Sequence, residues 1–452
     1  MIENKQLRFK RTQVALPHGI PEYTEQVTEG HALRWYVGQI TPDEVVIEAT
    51  VDSEKIGEFN ETVEGRFHPG RSVAVSIIPT GVGCSIGGYA GDAAPVTRLL
   101  SSSVDYLVTN PNAVNASDFA QINDNVLYTE GYCIDLLCRG RIDLYVPYAN
   151  SIGVIVEKAS DARLDQVFNV INAVRAVHGV DIQHTIVTDR PIGSRCEKNE
   201  TGAFVGTVDR PEVLAQACEA LLAKGVNAIG VTTNVQDLPA DDYALHFSGQ
   251  APNPVGGVEA IISHFIVNRY RVPSAHAPMS NIHDLALESP IVDARGAGEF
   301  ASLSGLACVL MGLAKAPQIA PRPGTRVRDA LNINNIVAVI APASCLGGIP
   351  TLFSARYGIP TIAVRDNETI LGVTRQALGL ENVIEVGSYA EAAGILMALE
   401  QGIALQSIVR PLPTLRYPAR ARELSAPAAV EMAVASAAAE AQLSWAGQAE
   451  RR

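Results

Sequence analysis

Ile336-Val337-Ala338-Val339-Ile340-Ala341-Pro342-Ala343-Ser344-Cys345-Leu346-Gly347-Gly348 is an apolar, β-branched run that ends in a turn of small residues. The run reads as a buried strand, and Ile349 to Tyr357 after it reads as a helix. A second apolar run, Thr361 to Val364, follows Gly358-Ile359-Pro360. Strand, helix and strand in that order make a parallel βαβ unit, and this unit decides the fold class. The pattern continues outward. Strands are expected at Val73–Ile78, Val104–Val108, Ile152–Val156, Thr185–Val187, Ala228–Thr232 and Val383–Val386. Helices are expected at Ala94–Ser102, Ala162–His178, Pro211–Lys224, Gly257–Asn268, Phe300–Leu313, Glu368–Leu378 and Tyr389–Gln401.

The expected fold is therefore α/β, with two parallel-sheet Rossmann-like domains facing one cleft and a small N-terminal addition. Residues 1–70 form the addition, where Glu44 to Val51 is strand-like. Residues 71–272 form the first α/β domain and residues 273–424 the second. Residues 425–452, rich in Ala and Glu, read as a helical tail.

With 452 residues and 47% hydrophobic content, the chain has ample material for a large core. The formal net charge of −13 and the lack of any Lys/Arg-rich run speak against a nucleic-acid footprint. No apolar stretch is long enough to span a bilayer, so no membrane partner is expected. Seven cysteines without a close-spaced framework fit free thiols in a reducing compartment. The start, Met1-Ile2-Glu3-Asn4-Lys5-Gln6, lacks an apolar signal-peptide core. Together these lead to the expectation of a cytoplasmic protein. A homo-oligomer is compatible with the tail.

A second turn matches the first. Pro79-Thr80-Gly81-Val82-Gly83-Cys84-Ser85-Ile86-Gly87-Gly88 also follows a strand and precedes a helix. Backbone N–H groups and a helix N-terminus at such a turn favour anions, and for cysteine they favour the thiolate. Cys345 and Cys84 are thus candidate catalytic residues, flanked by Gly83, Gly87, Gly88, Gly347 and Gly348, which let a ligand come close. The plainer reading is that small residues let a helix pack on a strand and that the cysteines are inert hydrophobes.

Polar residues at other strand ends could complete a site. Asp92 could bind substrate or cap a helix. Thr109, Asn110 and Asn112 could hold a carboxylate or amide, or close a turn. Glu130 stands in an uncharged run and could be a general acid or base, or an exposed loop carboxylate. Arg190 could clamp a carboxylate, or pair with Asp189. Glu259, Ser263 and His264 share an apolar helix, where a packed histidine is the commoner finding. His276, read as part of a Pro-flanked loop, is the better catalytic candidate. Asn367 could hold a polar group. His264, His276, His283 and Asp284 lack the spacing of a zinc motif, so no metal is assigned. No phosphate loop or full dinucleotide fingerprint is present, so no cofactor is assigned.

Two resemblances follow from these residues. Ile340 to Pro350, Arg356 to Val364 and Asp366-Asn367-Glu368-Thr369 resemble the C-terminal part of the aspartate/glutamate racemase superfamily, nearest to maleate isomerases and arylmalonate decarboxylases. That likeness implies a catalytic Cys345. The sequence departs from it at Asn110, which stands where that superfamily has its other cysteine. Ile86 to Ala93, Thr109 to Asn115, Tyr128 to Tyr132, Val187 to Pro191, Glu259 to His264 and Ala275 to Pro278 are similar to an uncharacterised family common in cyanobacteria, over roughly residues 73 to 400. This likeness implies a shared fold and site but no activity.

The leading expectation is a cofactor-independent cysteine enzyme that acts on a small polar carboxylate or amide by proton transfer at carbon, as racemases, isomerases and decarboxylases do. Cys345 would be base or nucleophile and Cys84 the opposing acid. The alternatives are a hydrolase of a small cyclic amide, with His276 or Glu130 activating water, and a non-catalytic small-molecule-binding protein.

Overall fold

The computed structural model describes residues 2–53, 70–89, 91–111, 122–236, 240–279, 291–295, 305–321 and 330–416. Its strands, in chain order, are β1 (Ile2–Lys10), β2 (Ala32–Ile40), β3 (Glu44–Asp52), β4 (Val73–Ser76), β5 (Tyr106–Thr109), β6 (Val126–Tyr128), β7 (Ile142–Tyr145), β8 (Ile152–Val156) and β9 (His184–Val187). They continue with β10 (Ser194–Lys198), β11 (Phe204–Val208), β12 (Ala228–Thr233), β13 (Val235–Gln236), β14 (Ser274–Pro278), β15 (Gln318–Pro321), β16 (Ile336–Pro342), β17 (Thr361–Val364) and β18 (Val383–Val386). The helices are α1 (Gly19–Val27), α2 (Ala94–Ser101), α3 (Gly131–Cys138), α4 (Asp161–His178), α5 (Pro211–Leu222), α6 (Ala240–Phe247), α7 (Gly256–Tyr270), α8 (Gly305–Ala314), α9 (Ile349–Arg356), α10 (Arg375–Leu378) and α11 (Tyr389–Glu400).

Two sheets are wholly parallel. One has six strands in the order β18-β17-β16-β4-β5-β6 and the other has four in the order β14-β12-β8-β9. Every residue of β4, β8, β12 and β17 is buried. That is why these strands read as continuous apolar runs, since helices cover both faces of such a sheet. A third, mixed sheet runs β13-β10-β11-β1-β3-β2, and β7 pairs with β15 in a two-stranded ribbon.

The strands are shared out differently from the expected domain division. β4, β5 and β6 from the first half of the chain join β16, β17 and β18 from the second half in one sheet. The strands that lead into the two cysteine turns therefore belong together: β4 and β16 are hydrogen-bonded neighbours. Residues 2–53 do not stand apart either, because β1 pairs with both β3 and β11. Residues up to Ile403 form one compact unit. The short helix α12 (Leu405–Ile408) belongs to a second unit. The expected tail at 425–452 lies outside the described residues. Of the helix expected at Glu368–Leu378 only the last turn forms. Residues 368–373 instead run against the cysteine turns, where Glu368 accepts from the Ser85 N–H and Ile370 donates to the Val82 carbonyl. No described helix is long and apolar enough to cross a membrane.

Candidate active site

A cavity of about 60 Å³ opens at the carboxyl ends of β4, β5 and β6, where parallel sheets bind their ligands. Ile77, Ile78 and Thr80 line it after β4, Asn110 and Pro111 after β5, and Glu130 and Gly131 after β6. The other parallel sheet contributes His276 from β14. Helix α7 contributes Glu259, Ser263 and His264, and β2 contributes Arg34. The volume suits a ligand of few heavy atoms.

Glu130 is the residue around which this wall is built. Its backbone is extended, and its carboxylate accepts the N–H of Tyr132 at 3.0 Å and of Cys133 at 2.6 Å, capping α3. The same carboxylate lies 2.5 Å from His264 Nδ1. Both side chains are buried. Burial pushes the His264 pKa down from the usual imidazole value, against the opposing pull of Glu130. The imidazole is then neutral near pH 7, with its Nδ1 proton toward the carboxylate and a lone pair on Nε2. Nε2 makes no hydrogen bond among the described residues. Gly131 permits the close packing here, since a Cβ on it would lie 3.2 Å from both Arg34 Cζ and His264 Cε1.

His276 makes a second pair. Its Nε2 is 2.9 Å from the Thr233 hydroxyl, which in turn is 2.9 Å from the Ser194 hydroxyl. Its Nδ1 is 3.4 Å from Glu259 Oε1. The expected loop around His276 is a strand: Ser274–Pro278 runs in register with β12, which pairs His276 with Val231. Asp135, on α3 beneath Glu130, faces Arg34 Nε at 3.5 Å. Burial raises the Asp135 carboxyl to about 8.

The cysteines lie elsewhere. Cys84 is buried and its thiol donates to the Pro79 carbonyl at 3.3 Å. Burial pushes its pKa well up, and the neighbouring Cys345 adds to the rise. Burial also lifts Cys345, to about 12, although Arg34 pulls it the other way. The expected lowering of both thiols is thus reversed: loss of water outweighs the helix N-termini. Neither cysteine lines the cavity.

The small residues beside them also serve the fold. Gly347 accepts the Val37 N–H at 2.9 Å, and a Cβ on Gly347 would lie 2.6 Å from the Val37 carbonyl oxygen. Gly348 bridges to Tyr36. The turn after Cys345 is therefore the seat of β2. Gly83 and Gly87 adopt positive φ, at 66° and 88°, and a Cβ on Gly88 would strike the Cys84 carbonyl.

The remaining polar candidates hold backbone. Asp92 caps no helix, because Ala93 occupies that position; its carboxylate accepts the N–H groups of Gly87 and Tyr89. The Thr109 hydroxyl donates to the Ser76 carbonyl across β4 and β5. Asn110 lines the cavity, yet its side-chain amide is tied to Ile78 N–H and C=O at 2.9 and 2.8 Å. Asn367 is fully buried and binds Ile86 at both its N–H and C=O and the Tyr389 hydroxyl. Arg190 is half exposed beside Asp189. Asn112, His283 and Asp284 lie outside the described residues. Among the described residues, no three His, Cys, Asp or Glu side chains gather as a metal ion would require. Glu130 and His264 stand far apart in the sequence, and no motif marks Arg34 or Thr233.

Residues 73–409 match the family described as "Protein of unknown function (DUF3326)". The chain belongs to this family. It is also 36% identical to an "uncharacterized lipoprotein" of Synechococcus sp. over 341 residues, which cover 74% of this chain and 92% of that protein. These two findings bear out the likeness to an uncharacterised cyanobacterial family and give nothing for the racemase superfamily. The relative's description as a lipoprotein points to a membrane-anchored or secreted protein, and it overturns the expectation of a cytoplasmic one. No solved structure matches the chain.

Proposed function

We propose that the chain is an enzyme that transfers a proton at carbon on a small polar carboxylate or amide, with His264 as the base. The observation that carries this reading is the buried Glu130–His264 pair at the cavity wall, 2.5 Å apart, with His264 Nε2 left for a ligand. A carboxylate on one imidazole nitrogen orients the ring and stabilises the imidazolium that forms when the other nitrogen takes a proton. His264 Nε2 removes the proton from the carbon next to the carbonyl, and the C–H electron pair moves onto the carbonyl oxygen as an enolate. His276 returns a proton to that carbon from Nδ1, the nitrogen that faces Glu259 at 3.4 Å, and the cycle closes as His264 loses its added proton to solvent and His276 regains one from it. Two carboxylate-paired imidazoles on one small cavity support proton removal and return better than acylation of a cysteine does. We read the two parallel sheets as two sides of a single cleft, since each contributes lining residues.

Solvent exchange tests this. In D2O, a panel of small 2-substituted carboxylic acids and their amides should include one whose carbon-bound proton is replaced by deuterium, followed by proton NMR. His264→Gln should slow that exchange by about a thousandfold. Binding without exchange would make the chain a small-molecule-binding protein, and hydrolysis without exchange would make it a hydrolase; either result overturns the proposal.

A further inference from the structure

We propose that Arg34, brought to the cavity by β2 from outside the family match, selects a carboxylate ligand over its neutral amide. The inference rests on reading the cavity as the ligand site, and it narrows the substrate class from carboxylate or amide to carboxylate. The family match begins at residue 73, so the acid–base residues Glu130, Glu259, His264 and His276 fall within it and Arg34 does not. Arg34 nevertheless lines the same cavity.

Its placement is built in three ways. The β2–β3 register shifts between Ala32 and Arg34, and such a bulge re-aims the side chain beside it. On its other edge β2 is fastened to the Cys345 turn through Val37 and Gly347. Gly131 leaves room for the guanidinium against α3.

The charge of Arg34 is not answered by the cavity's own carboxylates. Both Glu130 oxygens accept from Tyr132, Cys133 and His264, and Glu259 faces His276. Arg34 meets Asp135 through Nε alone, and its side chain makes no hydrogen bond among the described residues. Asp135 itself is buried and holds its proton near neutral pH, which leaves the guanidinium charge uncompensated. A planar fork with free Nη groups matches the two oxygens of a carboxylate; an amide offers one oxygen and a mismatched donor.

The test is an NMR titration of the full chain at pH 7 with propionate and propionamide, which share shape and size and differ by one charge. Propionate should bind about tenfold tighter than propionamide, the worth of a charge-assisted hydrogen bond. Arg34→Gln should erase the preference while propionamide binding stays within about twofold, and Arg34→Lys should keep part of it because the charge remains without the fork. Melting curves establish that each variant folds; if Arg34→Gln does not, Arg34→Lys carries the comparison. Equal affinities in the unaltered protein, a preference that survives in the folded variants, or no propionate binding would each overturn the proposal. The titration needs no turnover, so it reads ligand binding apart from the reaction. Preference without deuterium exchange would sink the proposed reaction and spare Arg34; exchange without preference would do the reverse.

Discussion

The two cysteine turns and the Glu130 wall sit at the same end of one sheet, yet their polar groups are used in opposite ways. At the turns after β4 and β16, Asn367, Asp92 and the Cys84 thiol are all bonded to nearby backbone or side chains. At the wall after β6, His264 keeps a ring nitrogen free of hydrogen bonds among the described residues. A polar group bound within the protein stabilises the fold, whereas one left facing a cavity can act on a ligand. Glycine and cysteine at a strand end mark a tight approach of chain to chain as readily as a site.

The largest expected effect that could break this contrast is kinetic. His264→Gln should slow the deuterium exchange by about a thousandfold, the scale of a lost general base, while Cys345→Ser stays within about twofold. Equal losses in the two variants would put the cysteine turn back at the centre. Glu130→Gln comes next, with a loss of roughly a hundredfold. Because Glu130 raises the His264 pKa, its removal should also move the acid limb of the pH–rate profile to lower pH. Gly347→Ala should cost about 1–3 kcal/mol of stability, read as a fall in urea midpoint, because the new Cβ meets the Val37 backbone. A neutral result there would mean that β2 is not seated on the turn.

A smaller effect concerns Asp135. Its folded pKa of about 8 exceeds its ordinary value of 3.8, so the folded chain holds a proton that the unfolded chain releases between those values. Its contribution to stability is full at low pH and is lost as pH rises through about 8. Asp135→Asn should therefore gain stability relative to the unaltered protein from pH 5 to pH 9, measured by urea unfolding. The smallest effect is a null one: iodoacetamide should leave Cys84 and Cys345 unlabelled at pH 7, since burial raises both thiols.

The strands buried on both faces were legible because burial on both sides leaves an uninterrupted apolar run, as in Ile152–Val156. β10, β13 and β14 were not, because Arg195, Gln236 and His276 break the pattern while still pairing in register. The site was half legible. Glu130, Asn110 and His276 stand out in their local settings, and the cavity does bring them together. What the sequence could not show is partnership. Glu130 and His264 come from distant elements, and each alone looks like a loop carboxylate or a packed histidine. Arg34 sits in a strand with no motif around it; only the bulge and the seat at Gly347 give it a direction.

That seat has a consequence for synthesis. β2 is made 310 residues before the turn that fastens its edge, the distance from Val37 to Gly347. Until that turn is made, β2 presents an unsatisfied edge to other chains. Contacts of such long sequence separation form late and slowly. The cavity's arginine is thus among the last of its parts to be fixed.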